Sequence, residues 1–297
     1  MTDTKRICLA LGSGGARGYT HIGVIDELTA RGHEVVAIAG TSMGAVVGGV
    51  HAAGHLDEFT AWVTTLTQTG VLRLLDPGFG QGGVVKGDRL FDAMKGFIGG
   101  MDIEDLPIPF TAVATDVDSR QEVWFQHGPL DAAIRASMAM PSMFTPVVIN
   151  GRLMVDGGLV NPVPIDPTIP IPADLTIAVS LNGNSEGRAR SEARTAEESP
   201  EEARRWHIPG LTTAKAQPES VRTWQDAPKG LGYIDLISRS LDVSTELVRR
   251  YRMAGHPPDV LVDIPFDACK VMDFHRAQEM IDLGRALAIE AFDAAGV

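Results

Sequence analysis

Cysteine is nearly absent, with only Cys8 and Cys269 among 297 residues. Two thiols so far apart make neither a disulfide framework nor metal-ligand spacing, and they read as buried thiols in a reducing compartment. No run of about 18 apolar residues occurs, so no membrane-spanning helix is expected. The opening Met1-Thr2-Asp3-Thr4-Lys5-Arg6 has no long apolar stretch behind it, so no secretory signal is expected either. A cytoplasmic location is the resulting expectation, with peripheral membrane contact left open. Positive charge is also short: 26 Lys and Arg stand against 38 Asp and Glu, a net charge of −12. That balance excludes a general nucleic-acid binder, which needs a basic surface. It gives no broad attraction to an anionic membrane. No internal repeat is found. The composition, 44% hydrophobic and 22% charged, is that of a globular chain able to bury a sizeable core.

The first fifty residues carry the strongest pattern. Ile7-Cys8-Leu9-Ala10-Leu11 reads as a buried strand. It runs into Gly12-Ser13-Gly14-Gly15-Ala16-Arg17-Gly18, and Tyr19 to Ala30 then reads as a helix closed by Gly32. A second apolar run, 35–39, enters Gly40-Thr41-Ser42-Met43-Gly44, and 45–50 can be helical. Strand, glycine-rich loop, helix, strand, turn and helix make a parallel α/β unit. Its loops lie at the carboxyl ends of the strands, where such sheets bind ligands.

Further on, 57–75 reads as mostly helical, with Phe59 and Trp62 expected in the core. Residues 76–83 read as a flexible loop and 88–98 as a helix. Strands are expected at 110–114 and 122–125 about a turn at 116–120, and a short helix at 131–138. Leu153-Met154-Val155 leads into Asp156-Gly157-Gly158, and a buried strand follows at 175–181. From 182 to 229 apolar residues thin out, and a mobile insertion is expected there, with Trp206 and Trp224 packing locally. A helix at 233–253, a strand at 260–264 and a helix at 274–294 then complete the same layer. One domain, 1–297, is expected.

Gly-x-Ser-x-Gly between a strand and a helix is the pattern of a nucleophile elbow, with Ser42 at its tip, although a serine between glycines is equally often a plain helix N-cap. Gly40 and Gly44 suit a turn in which the backbone doubles back. A serine hydroxyl needs a base. The late histidines, His256 and His275, have no neighbourhood that argues for catalysis. Asp156, in Asp156-Gly157-Gly158, is the more economical base, although Asp-Gly-Gly is also a common turn. The glycine-rich loop is not followed by Lys-Ser or Lys-Thr and lacks dinucleotide spacing, so neither phosphate-loop pattern fits. Its amides near Gly14 and Gly15 can instead face the oxygen of a tetrahedral intermediate, where each such donor contributes on the order of 3 kcal/mol.

These stretches, in this order, resemble the patatin-like phospholipases, most closely the short bacterial members. Arg135 to Val147 is similar to the block that family carries before its aspartate. Val85-Lys86-Gly87-Asp88 and Asn161-Pro162-Val163-Pro164 are similar to it as well. The match runs from about residue 7 to 181. It implies a three-layer α/β/α fold on a mostly parallel sheet and a Ser-Asp dyad without histidine, with Ser42 as nucleophile and Asp156 as base. Amides of the loop Gly14, Gly15, Ala16, Arg17 and Gly18, with Gly14 and Gly15 foremost, would form the oxyanion hole, and Arg17 would fix the loop's shape or meet an acidic headgroup, the first being the expectation. Ser13 departs from a common glycine and fits if its φ is negative. No metal and no cofactor are implied. The implied partner is a lipid or other acyl-ester substrate, and the implied activity that of a serine lipid esterase. Met138, Met140, Met143 and Met154 suit either an acyl groove or a core, and core is the expectation. Two rival readings stay open: a histidine-dependent esterase or thioesterase, and a weakly catalytic adaptor that works through 182–229.

Overall fold

The computed structural model describes residues 4–75, 87–141, 143–183 and 233–297. The expected loop at 76–83, both tryptophans of the 182–229 stretch and nearly all of that stretch lie outside the described residues.

The chain begins β1 (Arg6–Leu11), α1 (Thr20–Ala30), β2 (Glu34–Thr41), α2 (Met43–Ala52). A short 3-10 turn, Gly15–Tyr19, links β1 to α1. Next come α3 (Leu56–Val63), α4 (Gln68–Leu74) and α5 (Asp88–Ile98). The sheet resumes with β3 (Phe110–Asp116) and β4 (Gln121–Phe125), then α6 (Leu130–Ser137), β5 (Val147–Ile149), β6 (Arg152–Asp156) and β7 (Leu175–Gly183). The last elements are α7 (Tyr233–Gly255), β8 (Val260–Pro265) and α8 (Ala277–Ala295).

All eight strands join one sheet in the order β5-β6-β3-β2-β1-β7-β8, with β4 also on β3. The middle is parallel, from β3 through β2, β1 and β7 to β8, and β4, β5 and β6 are antiparallel. A parallel strand must be apolar on both faces because helices cover both. β1 obeys this: Ile7, Leu9 and Leu11 enter the large core, whereas Ala10 packs with Val163, Ile165 and Ala178 behind the sheet. On the first face lie α1, α2 and α8. On the second lie the segment after residue 161 and α7, whose Met253 reaches that smaller core. The result is a three-layer α/β/α arrangement. Helices α1 and α8 approach backbone to backbone: a Cβ on Gly23 would stand 2.1 Å from Ile281 O, and one on Gly284 2.1 Å from Thr20 O.

Two local features differ from the sequence-based expectation. Residues 57–75 form two helices. Hydroxyls of Thr64 and Thr65 bond back to the carbonyls of Thr60 and Trp62, and the Thr67 side chain accepts from Gly70 N to cap the next helix. The strand β5 was not expected. It is the short arm of a hairpin with β6, pairing Ile149 with Arg152 around Asn150 and Gly151. Both turn residues have positive φ, 52° and 74°, the two-residue turn that Asn-Gly favours.

Candidate active site

Sheet register brings Ser42 and Asp156 together. β2 pairs with β3 up to Thr41, which stands opposite Val113. The next residue of β3, Ala114, stands opposite Asp156 of β6. β4 fills the other edge of β3 along both positions. β2 and β6 therefore lie tip to tip on one edge of β3. Ser42 follows the last residue of one and Asp156 ends the other.

Ser42 holds φ 57° and ψ −122°, a sparsely populated conformation that costs a serine about 1–3 kcal/mol. The surroundings hold it there. Ser42 N donates to Ser137 Oγ at 2.8 Å, and Ser137 Oγ donates to Val113 O at 2.6 Å. Thr41 Oγ1 donates to Asn161 O at 2.9 Å. Gly40 and Gly44 are required by close approach. A Cβ at Gly40 would meet Gly44 O at 2.4 Å, and one at Gly44 would meet Leu11 O at 2.0 Å. Ser137 was not singled out from the sequence, because a serine inside a helical block carries no sign that it faces a strand end.

The Asp156 carboxyl is fully enclosed. Its Oδ1 accepts from Gly158 N at 2.7 Å, and its Oδ2 is buried without a well-formed hydrogen bond. Burial pushes its pKa up from 3.8 to about 6, while contact with the Ser42 hydroxyl and the Gly158 amide pulls the other way. The Ser42 hydroxyl thus lies close enough to act on the carboxyl, without a well-formed hydrogen bond to Oδ2. Such contacts commonly tighten only when substrate binds. Asp156 is anchored from two sides, its N bonded to Ala139 O and its O to Thr115 Oγ1, both at 2.9 Å. Gly157 lies against β3, where a Cβ would be 2.2 Å from Val113 O, and a Cβ on Gly158 would be 2.8 Å from Ser13 Oγ. The glycine-rich loop therefore touches the turn after Asp156. Ser13 is not among the residues of positive φ, and its serine side chain is accommodated.

The loop is bolted down on both flanks. Gly12 N donates to Val179 O, Ser13 N to Pro162 O and Ala16 N to Val271 O, so the Ala16 amide, expected among the oxyanion donors, is already taken up in holding the loop. Among the described residues no backbone partner is found for the amides of Gly14 and Gly15. Gly15 has φ +59°, and a Cβ there would be 2.5 Å from Val271 O, so glycine is needed on both counts. Gly18 fits under Met43, 2.2 Å from where a Cβ would be. Arg17 donates to Phe266 O; burial disfavours its charge, and Cys269, Asp242 and Asp267 offset only part of that. Arg17 thus ties the loop to the β8–α8 connection. His21, fully buried in α1, contacts Gly12 O through Nε2 at 2.9 Å. Burial lowers its pKa to about 4, so at neutral pH the ring is uncharged and Nε2–H donates to that carbonyl. Its place could be read from the sequence only as one helical residue among others.

A narrow apolar cavity starts beside the elbow. Its lining includes Met43, Val46, Phe59, Trp62, Met94 and Met138. Met43 follows Ser42 in the chain and Met138 follows Ser137. Phe59 and Trp62 do pack in the core, as expected, and each meets Phe97 at 5.6 Å between ring centroids. Met138 serves cavity and core alike, whereas Met154 packs with Ala114 and Ala136 in a separate small core. Of the late histidines, His256 lies on the surface with Nδ1 3.1 Å from Asp166 Oδ1, and His275 sits in a 3-10 turn before α8. Both cysteines are buried and free, and burial raises both thiols. Among the described residues no group of three His, Cys, Asp or Glu could hold a metal, and no helix is long and apolar enough to cross a membrane.

Residues 9–169 match the family model described as patatin-like phospholipase. A Mycobacterium bovis protein named "Uncharacterized NTE family protein Mb1092c" is 43% identical over 334 residues, covering 99% of this chain and 93% of that protein. The Caenorhabditis elegans "Patatin-like phospholipase domain-containing protein ZK370.4" is 27% identical over 292 residues, 96% of this chain and 20% of the worm protein. Among solved structures, VipD from Legionella pneumophila shares the fold, with a TM-score of 0.57 at 14% identity, over 98% of this chain and 67% of that one. The family model spans both Ser42 and Asp156, and the sheet that carries them has the matching fold: the chain belongs to the patatin-like phospholipase family.

Proposed function

We propose that the protein is a serine acyl hydrolase of lipid esters, of phospholipase or lysophospholipase type, working through a Ser42–Asp156 dyad. The observation that carries this reading is the meeting of a strained serine and a buried carboxylate on one edge of β3. An apolar cavity lined by Met43 and Met138, the chain neighbours of Ser42 and Ser137, supports an acyl chain as the group held. In the reaction, Ser42 Oγ attacks the ester carbonyl and its proton passes to Asp156. The tetrahedral oxyanion takes hydrogen bonds from the amides of Gly14 and Gly15, which are left free for it. Asp156 then gives the proton to the leaving alcohol, and a water, deprotonated by the same carboxylate, cleaves the acyl-enzyme. With a pKa of about 6, Asp156 is mostly ionised at pH 7 yet close enough to neutrality to return the proton. His256 lies at the surface on Asp166, and the titratable side chain beside the Ser42 hydroxyl is Asp156, which favours the carboxylate as base.

The test is hydrolysis of a lipid panel together with labelling by a fluorophosphonate probe. Wild type should do both, and Ser42→Ala neither. Hydrolysis that survives Ser42→Ala overturns the assignment.

A further inference from the structure

We propose that Arg252, in the last turn of α7, is a positioning residue for the reaction at Ser42 and Asp156; this rests on the hydrolase reading above. Arg252 lies outside the 9–169 stretch that matches the family model. Its guanidinium nevertheless reaches the segment that follows Asp156. Nη2 lies 2.7 Å from Glu122 Oε2 on β4 and 2.8 Å from Asp166 Oδ2, and Nη1 donates to Val160 O at 3.3 Å. One cation thus binds two carboxylates from separate segments and one carbonyl of the catalytic turn.

The connection continues inward through Asn161. Its side-chain amide donates to Glu122 Oε1 at 2.7 Å. Its backbone N donates to Gly157 O at 2.8 Å, and its backbone O accepts from Thr41 Oγ1 at 2.9 Å. Gly157 follows Asp156, and Thr41 precedes Ser42. Asn161 therefore grips the chain neighbour of each dyad member and is itself oriented by Glu122, which Arg252 holds. Asn161 is fully buried, so its amide cannot turn to water if Glu122 moves away.

Charge and shape both require arginine here. Without a cation, Glu122 and Asp166 would face each other as like charges. His256 approaches only the second of them, at 3.1 Å from Asp166 Oδ1. A planar guanidinium serves three acceptors in fixed directions, whereas an ammonium on a flexible stem serves them less well. Displacing the turn after Asp156 would move the carboxyl relative to Ser42 Oγ, and a shift of about 1 Å in such a pair can lower turnover by about 100-fold. The apolar cavity does not include Arg252 or its partners, so acyl binding should be unaffected.

The experiment compares Arg252→Met, Arg252→Lys and Arg250→Met on a p-nitrophenyl acyl ester, with fluorophosphonate labelling rates and melting temperatures. Arg250 pairs only with Glu246 among its described contacts and serves as the control. Arg252→Met should lower kcat and the labelling rate about tenfold or more and leave KM within about twofold. Arg252→Lys should recover part of the loss, and Arg250→Met should match wild type. If Arg252→Met does not fold, Glu122→Gln replaces it, with a smaller fall in kcat at constant KM expected. Wild-type kcat in Arg252→Met, or in Glu122→Gln where that variant stands in, overturns the proposal. So does a loss that lysine does not relieve and that follows melting temperature. If Ser42→Ala still hydrolyses the ester, it is the hydrolase reading that fails. If Ser42→Ala is dead and Arg252→Met is unchanged, only the positioning role fails.

Discussion

Replacing Asp156 with Asn separates what the buried carboxylate costs the fold from what it does in the reaction. In the folded protein the carboxyl titrates at about 6 instead of 3.8, because burial disfavours the charge. Each unit corresponds to about 1.4 kcal/mol, so the ionised side chain costs on the order of 3 kcal/mol of stability. The folded state holds the proton more tightly than the unfolded chain does. The cost is therefore absent below about 3.8, grows between there and 6, and is complete above 6. Asparagine is neutral throughout and can still accept from Gly158 N, now bonded to Asp156 Oδ1 at 2.7 Å. Asp156→Asn should be inactive yet more stable than wild type at pH 8 by about 2–3 kcal/mol. The advantage should shrink below pH 6 and vanish near 4. Urea unfolding followed by tryptophan fluorescence at pH 8, 6 and 4.5 measures this. A variant less stable than wild type at pH 8, or an advantage that does not change with pH, would refute the idea that burial sets the Asp156 pKa. In wild type, the same titration should make kcat/KM fall as pH drops through about 6.

Two other outcomes follow from packing. Ser137→Ala removes the hydroxyl between Ser42 N and Val113 O, leaving the Ser42 amide without its partner. It should cost about 1–3 kcal/mol in stability, and relaxation of the elbow should lower kcat more than it raises KM. Leu90 lines the cavity and is only partly buried, so Leu90→Trp should narrow the cavity without unfolding the chain. The ratio of activity on long to short acyl esters should then drop about tenfold or more, and an unchanged ratio would place the acyl chain elsewhere.

Much of the outer fold was legible because it rests on local signals. A five-residue apolar run ended by glycine, such as Ile7–Leu11, is too short for a buried helix and reads as a strand covered on both faces, and α5 spans the expected 88–98. Where the local signal was divided, the reading slipped. Threonines that cap in both directions cut 57–75 into two helices. The Asn150-Gly151 turn is a hairpin signal, but its outer arm of three residues is too short to show an alternating pattern.

By itself, the sequence determined the order of the motifs, the glycines that let the chain double back, and the family those motifs resemble. The meeting of Ser42 with Asp156 was decided by tertiary structure, because it depends on two strands pairing tip to tip along β3. Such register is a long-range choice that no window of residues contains. The same holds for Ser137 behind the elbow, for the β8–α8 connection that holds the glycine-rich loop through Val271 and Arg17, and for Arg252. Each side chain acts across a gap in the chain that only the folded core closes. The sequence names the chemical groups, and packing sets the distances at which they can react.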